Sequence, residues 1–350
     1  DYFTRCHKAG ALPVLDTEFL TNTEVIAILD RLAAQDLVFG LRLPFANQAL
    51  RDYLTGAFQP RLDLVVLTYR AAAELSSAAP LEHYRTAVEV RDIDLLAPLK
   101  TLEPHALVVR GNEAPGRVSR YSSFVLMQWY LENGDLPVFV HGGVGWHTAA
   151  GLFAAGASGI VLDDQLYLAA EAPLAEAYKS VLRRLEDKDS AMVGETLNAP
   201  YRFFAKLATR VVKELKAKEL GLAGTEDPEG ALYREIEARA AALDQDAGEP
   251  LQSLFYLGQD AVFARHFAAR ASGLEGMIQG LFTQIGAQLA AVDDHNPLRP
   301  GSKLADIHGT RYPIVQGPMA NVSDNADFAA AVLAAGGLPF LALGSLPAHL

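Results

Sequence analysis

The hydrophobic pattern of the chain alternates between short apolar runs and longer amphipathic stretches. Seven runs are rich in Val, Leu and Ile and show no polar alternation, at residues 13–15, 37–43, 64–68, 86–90, 106–109, 137–140 and 159–162. Such runs are typical of parallel strands whose two faces are both covered by other elements. Between the runs, residues 23–34 (TEVIAILDRLAA), with a Thr N-cap, and residues 148–155 have the apolar spacing of helices.

This alternation of strands and helices predicts a parallel α/β fold, either a doubly wound sheet or a (β/α)8 barrel. Seven strands in this order, with one partner missing before Ala9, favour the barrel. From about residue 174 to residue 291 the pattern changes to helices alone, and residues 201–220 (YRFFAKLATRVVKELKAKEL) form the clearest amphipathic example. We therefore predict an α/β chain built on a TIM (β/α)8 barrel, with a helical appendage.

A repeat links the two ends of the chain. Residues 9–15 read AGALPVL and residues 335–341 read AGGLPFL, so five of seven positions are identical at a separation of 326 residues. This separation is too long for a solenoid unit and suits one barrel domain with additions. Before the second copy stands a strand-like PIVQ at residues 313–316, followed by an apolar helix pattern.

The repeat predicts that the chain is a piece of a longer tandem protein. We expect a barrel that lacks its first strand at residues 1–173. A helical appendage or linker follows at residues 174–304, and the first strand and helix of a second barrel copy at residues 305–350.

Composition and charge restrict the classes of partner. The 350 residues are 50% hydrophobic and 21% charged, which gives a large core rather than disorder. A net charge of -12 argues against an electrostatic grip on nucleic acid or an anionic membrane. The single cysteine, Cys6, excludes an internal disulfide framework and a cysteine-based zinc site, and it fits a reducing cytoplasm. No apolar run reaches the roughly 18 residues of a membrane span. We expect a cytoplasmic protein without a metal, nucleic-acid or membrane partner.

Three loops that follow strands are candidates for chemistry, because the working residues of a (β/α)8 barrel lie after the carboxyl ends of its strands. Residues 110–119 (RGNEAPGRVS) are compact and carry three charges. Residues 141–148 (HGGVGWHT) place two glycines before a helix, where backbone N–H groups can close around a phosphate. The third loop begins with Asp163 and Asp164. Such loops on the last two strands match the usual phosphate site of barrels.

Three segments together resemble a known family. They are PIVQGPMANVSDNADFAAAVLAAGGL at residues 313–338, VVRGNEAPGRVS at residues 108–119 and PVFVHGGVGWHTAAGLFAAGASGIVLDDQL at residues 137–166. In this order they resemble the nitronate monooxygenase group, formerly called 2-nitropropane dioxygenases. They look most like the tandem barrels joined to polyketide or polyunsaturated fatty acid synthases, which are relatives of trans-acting enoyl reductases. The resemblance implies a flavin-binding barrel that holds FMN non-covalently and uses it for the redox step.

The resemblance also implies positions that contact FMN. The family's first-strand loop, whose backbone lies against the flavin ring, is matched by Gln316, Gly317, Pro318 and Met319. The phosphate loop is matched by His141, Gly142 and Gly143.

At other positions the chain departs from the family pattern. Arg42 replaces the usual Asn and Arg110 the usual Gln, while Asp163 and Asp164 replace the Gly-Thr that helps to hold the phosphate. In the Gly-Gly-His run, Pro115 replaces the first Gly and Arg117 replaces the His. An arginine stays protonated, so Arg117 cannot be the base that nitronate oxidation requires.

Two explanations of the arginines remain open at this point. In the first, Arg42, Arg110 and Arg117 form a positive mouth for the flavin or for the phosphopantetheine of an acyl carrier. In the second, they pair with Glu113, Asp163 and Asp164, and the pocket has lost its cofactor.

Three functions follow from these alternatives. The leading expectation is an FMN-dependent oxidoreductase that acts on acyl thioesters within a polyketide or fatty acid synthase. NAD(P)H would be its reductant, and Arg117 the donor that polarises the thioester carbonyl. Its partners would be an acyl chain on a carrier protein or CoA and other domains of the synthase. The first alternative is a non-catalytic structural barrel of a megasynthase, with activity confined to the copy that begins at Pro313. The second is a true nitronate monooxygenase.

Overall fold

The computed structural model describes residues 2–35, 37–45, 48–55, 61–75, 81, 83–95, 99, 103–205, 210–241 and 254–345. Its contacts divide the chain into two compact units, residues 1–285 and residues 286–350. Each unit is described by itself. The domain boundaries at residues 173 and 304 stay a prediction.

The first unit is built on a parallel sheet of seven strands. The described strands of the unit are β1 Val14–Asp16, β2 Phe39–Leu43, β3 Leu62–Thr68, β4 Arg85–Val90, β5 Ala106–Arg110, β6 Gly116–Arg117, β7 Val138–His141, β8 Gly159–Val161, β9 Ser190–Val193 and β10 Tyr201–Phe204. The order in the parallel sheet is β1-β2-β3-β4-β5-β7-β8. Sheet neighbours are neighbours along the chain apart from the short β6, as in the wall of a barrel. The seven predicted strands and the predicted barrel class are confirmed.

Helices pack against the outer face of this sheet. They are α1 Tyr2–Lys8, α2 Asn22–Ala34, α3 Gln48–Thr55, α4 Tyr69–Leu75, α5 Ser123–Asn133 and α6 Ala149–Ala154. The predicted helix at residues 23–34 begins slightly earlier, because the side chains and backbones of Thr21 and Glu24 form a reciprocal capping box. Buried leucines of the helices, such as Leu29 and Leu126, share one large apolar core with strand residues such as Leu41.

The inner face of the sheet has an apolar part and a polar layer. The apolar part consists of Leu64, Val66, Ala87, Ala106, Val108, Phe139 and Val161. Side chains two positions apart on a strand point to the same face, so the next layer lies one step nearer the carboxyl ends. That layer, which we call the polar ring, consists of Asp16, Arg42, Thr68, Glu89, Arg110, His141 and Asp163. The sheet therefore gathers charged side chains where the active sites of barrels lie.

Residues 174–285 contribute two strands to a second, antiparallel sheet, in addition to helices. Strand β10 pairs with β9 on one side and with β6 on the other. The prediction of helices alone after residue 174 is therefore wrong. Residues 201–204 (YRFF) form a strand because three of the four side chains are aromatic, a residue type enriched in strands, and all four residues are buried. The remaining helices are α7 Glu176–Leu182, α8 Arg210–Leu222, α9 Pro228–Ala241, α10 Ala264–Ala268 and α11 Leu274–His295.

The second unit contains α12 Lys303–His308 and α13 Ala326–Ala334. A parallel bridge joins Val315 to Leu338. Around it, the Leu338 N–H donates to the Ile314 carbonyl at 2.8 Å, and the Gln316 N–H donates to the Leu338 carbonyl at 2.9 Å. The strand-like character predicted for residues 313–316 is therefore present within this unit.

The sequence repeat is also a repeat of structure. Gly10 and Gly336 end their helices with φ values of 84° and 91°, a left-handed conformation that glycine adopts without strain. The Gly10 N–H donates to the His7 carbonyl at 3.0 Å, and the Gly336 N–H donates to the Leu333 carbonyl at 2.8 Å. These donors and acceptors are related by the same offset of 326 residues as the sequence match. The two turns therefore share one local conformation.

In the described part of the chain, no helix combines the length and the apolar character needed to cross a bilayer.

Candidate functional site

Glu89 lies at the centre of the polar ring. Its side chain is buried, and it accepts hydrogen bonds from Nε and Nη2 of Arg42 at 2.8 and 3.0 Å and from Nη1 of Arg110 at 3.0 Å. Two parallel hydrogen bonds from one guanidinium make a strong carboxylate contact. Burial raises the pKa of Glu89, but the charges of Arg42 and Arg110 outweigh this effect and hold it well below its ordinary value. Sequence reasoning missed Glu89; its signal was a lone charge between Val88 and Val90 in an apolar strand.

Arg42 completes this network on the other side. Its Nη1 donates to Oδ1 of Asp16 at 2.9 Å and to Oε2 of Glu18 at 2.7 Å. Burial lowers the pKa of Arg42, but Asp16, Glu89 and Glu18 raise it above its ordinary value. Arg42 therefore binds three carboxylates, and it shares one of them, Glu89, with Arg110. The arginines do pair, as the second explanation proposed, but with partners that the sequence did not indicate.

Arg117 lies on β6 and joins it to the appendage. Its Nε donates to Oε1 of Glu229 at 2.9 Å, and its Nη1 and Nη2 donate to the carbonyls of Pro200 at 3.3 Å and Asn198 at 3.2 Å. The guanidinium also lies over the Tyr201 ring, 5.4 Å from its centroid. Each of its three nitrogens is directed at the protein, so this arrangement does not leave Arg117 available to polarise a substrate carbonyl.

The glycine loop after β7, residues 142–145, has the conformation expected of an anion-binding turn, with φ values of 101° and 71° at Gly142 and Gly143. Two of its backbone donors are used within the protein. The Val144 N–H donates to Oδ2 of Asp260 at 3.2 Å, and the Gly145 N–H donates to Oγ1 of Thr148 at 2.8 Å. Asp260 belongs to the appendage, and sequence reasoning missed it because the helical stretch offered no motif around it.

A segment of the appendage, residues 254–260, crosses the carboxyl ends of the strands, and we call it the covering segment. Its contacts reach the loops after four strands. At the β1 loop, Tyr256 Oη donates to Glu18 Oε1 at 3.1 Å, and at the β5 loop, the Gln259 N–H donates to the Glu113 carbonyl at 2.7 Å. At the β8 loop, the Gly258 N–H donates to Asp164 Oδ2 at 2.5 Å, and Gln165 Nε2 donates to Asp260 Oδ2 at 3.0 Å; the bond from Val144 to Asp260 is the contact with the β7 loop.

The close approach of the covering segment requires glycine at position 258. A Cβ atom there would lie 2.5 Å from the Glu113 carbonyl oxygen, 2.6 Å from Asp164 Oδ2 and 2.9 Å from the Pro115 nitrogen. No side chain fits in that space without moving backbone atoms.

Carboxyl groups dominate the electrostatics beside the glycine loop. Burial, together with the charge of Asp163, raises the pKa of Asp164 well above its ordinary value. Burial and the charges of Glu113 and Asp163 raise the pKa of Asp260 to about 7. Burial also acts to raise the pKa of Asp163, but its contact with His141 and the charge of Arg110 hold it below its ordinary value.

His141 is the remaining member of the ring next to this loop. Its Nε2 lies 3.5 Å from Oδ2 of Asp163. Burial and the charge of Arg110 lower the pKa of His141 despite this carboxylate. A neutral His141 adds no positive charge for a phosphate to bind.

The residues between the loops after β7 and β8 do not fit the phosphate of FMN. A phosphate group there would meet the carboxyl groups of Asp163, Asp164 and Asp260 and would have to displace Asp260 from the Val144 N–H. The negative charge of Asp163 would repel a phosphate, and little solvent screens the two charges there. The nearest arginine of the ring, Arg110, is held by Glu89.

The four predicted flavin-ring residues, Gln316 to Met319, belong to the second unit. Met319 is held by a hydrogen bond from its N–H to Oγ of Ser323 at 2.8 Å, and its side chain is exposed. A Cβ atom built on Gly317 would meet no other atom within 4 Å. The backbone at Gly317 is therefore open to a flat ligand, in contrast with the filled surroundings of Gly258.

Two surface cavities lie away from the polar ring. One, of about 640 Å³, lies along α5 and is lined in part by Tyr121, Val125 and Trp129. The other, of about 570 Å³, is lined in part by Lys179 and Arg265. Neither cavity is lined by a residue of the ring.

Solved structures share this arrangement of strands and helices. FabK from Thermotoga maritima matches with a TM-score of 0.69 at 15% identity, over 83% of this chain and 89% of its own. The enoyl reductase domain of MlnA from the macrolactin biosynthesis cluster of Bacillus amyloliquefaciens matches with a TM-score of 0.61 at 10% identity, over 81% and 95%. Nitroalkane oxidase from Streptomyces ansochromogenes matches with a TM-score of 0.57 at 17% identity, over 83% and 92%. The chain has the barrel fold of these proteins.

At the level of the fold, the resemblance to the nitronate monooxygenase and enoyl reductase group is confirmed. No protein-family model and no curated protein matches the chain. The shared fold does not carry a shared activity with it, because one barrel supports many chemistries through its loops.

Proposed function

We propose that this barrel, which has the fold of enoyl reductases, is a non-catalytic, structural domain of a synthase that builds acyl chains. The observation that carries the proposal is the closed charge network of the polar ring, in which Glu89 binds both Arg42 and Arg110. In a working barrel the strand ends present such groups to a cavity that admits substrate. In this chain they bind one another beneath the covering segment.

The synthase setting is supported by two independent likenesses. The sequence segments at residues 108–119 and 137–166 resemble barrels joined to polyketide or polyunsaturated fatty acid synthases. The fold resembles the enoyl reductase domain of MlnA, from a macrolactin biosynthesis cluster. We propose that the partners are other synthase domains in the cytoplasm and, through them, acyl chains on a carrier protein or CoA.

The second candidate function is an FMN-dependent oxidoreductase that reduces acyl thioesters with NAD(P)H. The observation that favours it is the open backbone at Gly317, beside the family-type residues Gln316, Pro318 and Met319. These residues belong to the module copy that begins at Pro313, so the flavin chemistry is proposed for that copy rather than for the first barrel.

Visible absorption spectroscopy separates the two candidates. The chain is purified, incubated with excess FMN, desalted and scanned for the absorbance of oxidised flavin. We expect a colourless protein before and after incubation. The variant Gln316→Asn, in the second unit, is measured in the same way. Flavin that is retained by both the wild type and this variant would contradict the structural role of the first barrel.

Turnover assays complete this test. NAD(P)H oxidation is measured with crotonyl-CoA and with a nitroalkane, and we expect neither substrate to stimulate it. Stimulation by crotonyl-CoA would favour the oxidoreductase, and stimulation by the nitroalkane a nitronate monooxygenase. In either case, Arg117→Ala shows whether Arg117 takes part, since its loss would then lower turnover while flavin stays bound.

A further inference from the structure

The glycine loop after β7 retains the backbone of an anion site although its surroundings are acidic. Residues 142–145 keep two glycines in the left-handed region before α6. Backbone N–H groups in such a turn can bind an anion. In this barrel the acceptor at Val144 is a carboxyl oxygen of Asp260, at 3.2 Å.

Asp260 is held at this position by more than one contact. Its Oδ2 also accepts from Nε2 of Gln165 at 3.0 Å, and that amide donates to the Val144 carbonyl at 2.9 Å. Gln165 lies in the loop after β8, so the carboxyl group bridges the two loops that form the usual phosphate site of a barrel. Asp260 is buried, with 4% of the residue exposed.

The rest of the covering segment fixes Asp260 from the other side. The Gly258 N–H donates to Asp164 at 2.5 Å, and the Gln259 N–H donates to the Glu113 carbonyl at 2.7 Å. Gly258 allows this approach because a Cβ atom would overlap both acceptors. Asp164 is thus an acceptor for the covering segment, where the family pattern has a residue that helps to hold phosphate.

We infer that the carboxyl group of Asp260 stands in for a ligand phosphate, so that the barrel carries its own occupant in the phosphate site. The inference rests on the proposed structural role of the barrel and gives its physical cause. The ligands excluded are phosphate monoesters such as FMN. They fail at the phosphate end, whatever the rest of the ligand contacts.

The test removes the carboxyl group of Asp260 together with those of Asp163 and Asp164. The variant Asp163→Gly/Asp164→Thr/Asp260→Gly is compared with the wild-type chain and with Asp135→Asn, a change of charge at an exposed position. The probes are FMN, followed by quenching of its fluorescence, and inorganic phosphate, followed by the shift in melting temperature. We expect the triple variant to bind FMN at least ~10-fold more tightly than the wild type, and Asp135→Asn to match the wild type.

The outcomes distinguish this inference from the proposed function. If the triple variant folds, as judged by circular dichroism, and binds FMN no better than the wild type, the assignment of Asp260 is wrong. If the wild-type first barrel itself binds FMN, the proposed function is wrong. Binding that is gained only by the variant supports both.

A second measurement on the wild-type chain covers the case in which the triple variant does not fold. The amide resonance of Val144 is followed by NMR between pH 5 and pH 8, first in the wild type and then in Asp260→Asn. We expect its shift to follow the titration of Asp260 in the wild type, with a midpoint near the pKa of about 7, and to become flat in the variant. A Val144 shift that is the same in both proteins would overturn the inference.

Discussion

Replacing Glu89 with Gln is expected to destabilise the barrel strongly, because it removes the carboxylate that Arg42 and Arg110 share. Gln keeps the shape of the side chain and one acceptor oxygen. It loses the second acceptor and the negative charge, so Arg110 is left with the Pro115 carbonyl, 2.5 Å from its Nη2, and with no ion-pair partner. Arg42 keeps Asp16 and Glu18.

The magnitude follows from the burial of the network. The Glu89 side chain is 3% exposed, and those of Arg42 and Arg110 are 8% and 5% exposed. Removing one partner of a buried ion pair costs about 3–5 kcal/mol, since the remaining charge loses compensation in a medium of low dielectric constant. One hydrogen bond to the Gln amide oxygen is retained, so we expect about 3 kcal/mol and a fall in Tm of about 5–10 °C.

The effect should depend on pH with a definite sign. The pKa of Glu89 is lowered in the folded state, so its stabilisation is complete above the unfolded-state pKa of about 4.3 and is lost as pH falls toward the folded-state value. The difference between wild type and Glu89→Gln should therefore shrink by about 1.4 kcal/mol at one pH unit below 4.3. Urea unfolding followed by circular dichroism at neutral and acidic pH measures this change.

The matched control is Glu74→Gln, the same substitution at an exposed ion pair. Glu74 lies 3.0 Å from Arg70 one helical turn away, with side chains 41% and 53% exposed. Such pairs contribute no more than about 0.5 kcal/mol. If Glu89→Gln costs as little as the control at neutral pH, or if its cost does not shrink in acid, the ring is not the buried charge network that we describe.

Three further predictions concern the covering segment and β6. Gly258→Ala should lower the free energy of unfolding by about 1–3 kcal/mol in chemical denaturation, because the new Cβ atom meets backbone atoms. Gly221→Ala is the control; its Cβ atom meets nothing within 4 Å, so the change should be neutral or stabilising. Equal effects of the two substitutions would contradict the close approach at Gly258. The wild type should lose stability as pH rises from about 4 through 7, since the pKa values of Asp260 and Asp164 are both raised. Asp260→Asn should remove the part of this loss that is due to Asp260, so its unfolding curves across that range should change less with pH than those of the wild type. Arg117→Met should lower stability by about 1–3 kcal/mol by releasing Glu229 and two carbonyls, and an unchanged melting temperature would remove Arg117 from the link between β6 and the appendage.

The sequence predicted the barrel because its seven strands are local features. Each is a short Val, Leu and Ile run, and each run appears in the sheet within a few residues of its predicted bounds. The repeat was also visible, since the turn at Gly10 and Gly336 requires a residue that adopts positive φ. The helix predicted through residues 201–220 was wrong at its start, where β10 depends on pairing with the distant strands β6 and β9.

The charge network could not be predicted in the same way, because its partners are distant in sequence. Glu89 lies 47 positions from Arg42, and Asp260 lies 95 positions from Gln165. A buried charge requires a partner, but the requirement alone does not say which residue supplies it. The sequence therefore indicated that Arg42 and Arg110 needed carboxylates, and the fold decided that these come from β1, the loop that follows it, and β4.

The departures from the family pattern depend on one another, so reversing one of them should not restore a working site. Arg42→Asn brings back the family residue, but it leaves Glu89 with Arg110 as its remaining cation and Glu18 without its arginine partner. We expect this variant to be less stable than the wild type and still free of flavin in its first barrel. In a double-mutant cycle, Arg42→Asn and Glu89→Gln should couple by about 1–3 kcal/mol, because the second substitution removes a charge that the first has already left poorly compensated. If the two substitutions lower the free energy of unfolding additively in urea, the two residues act separately. The structural role proposed for the barrel would then be supported by the covering segment alone.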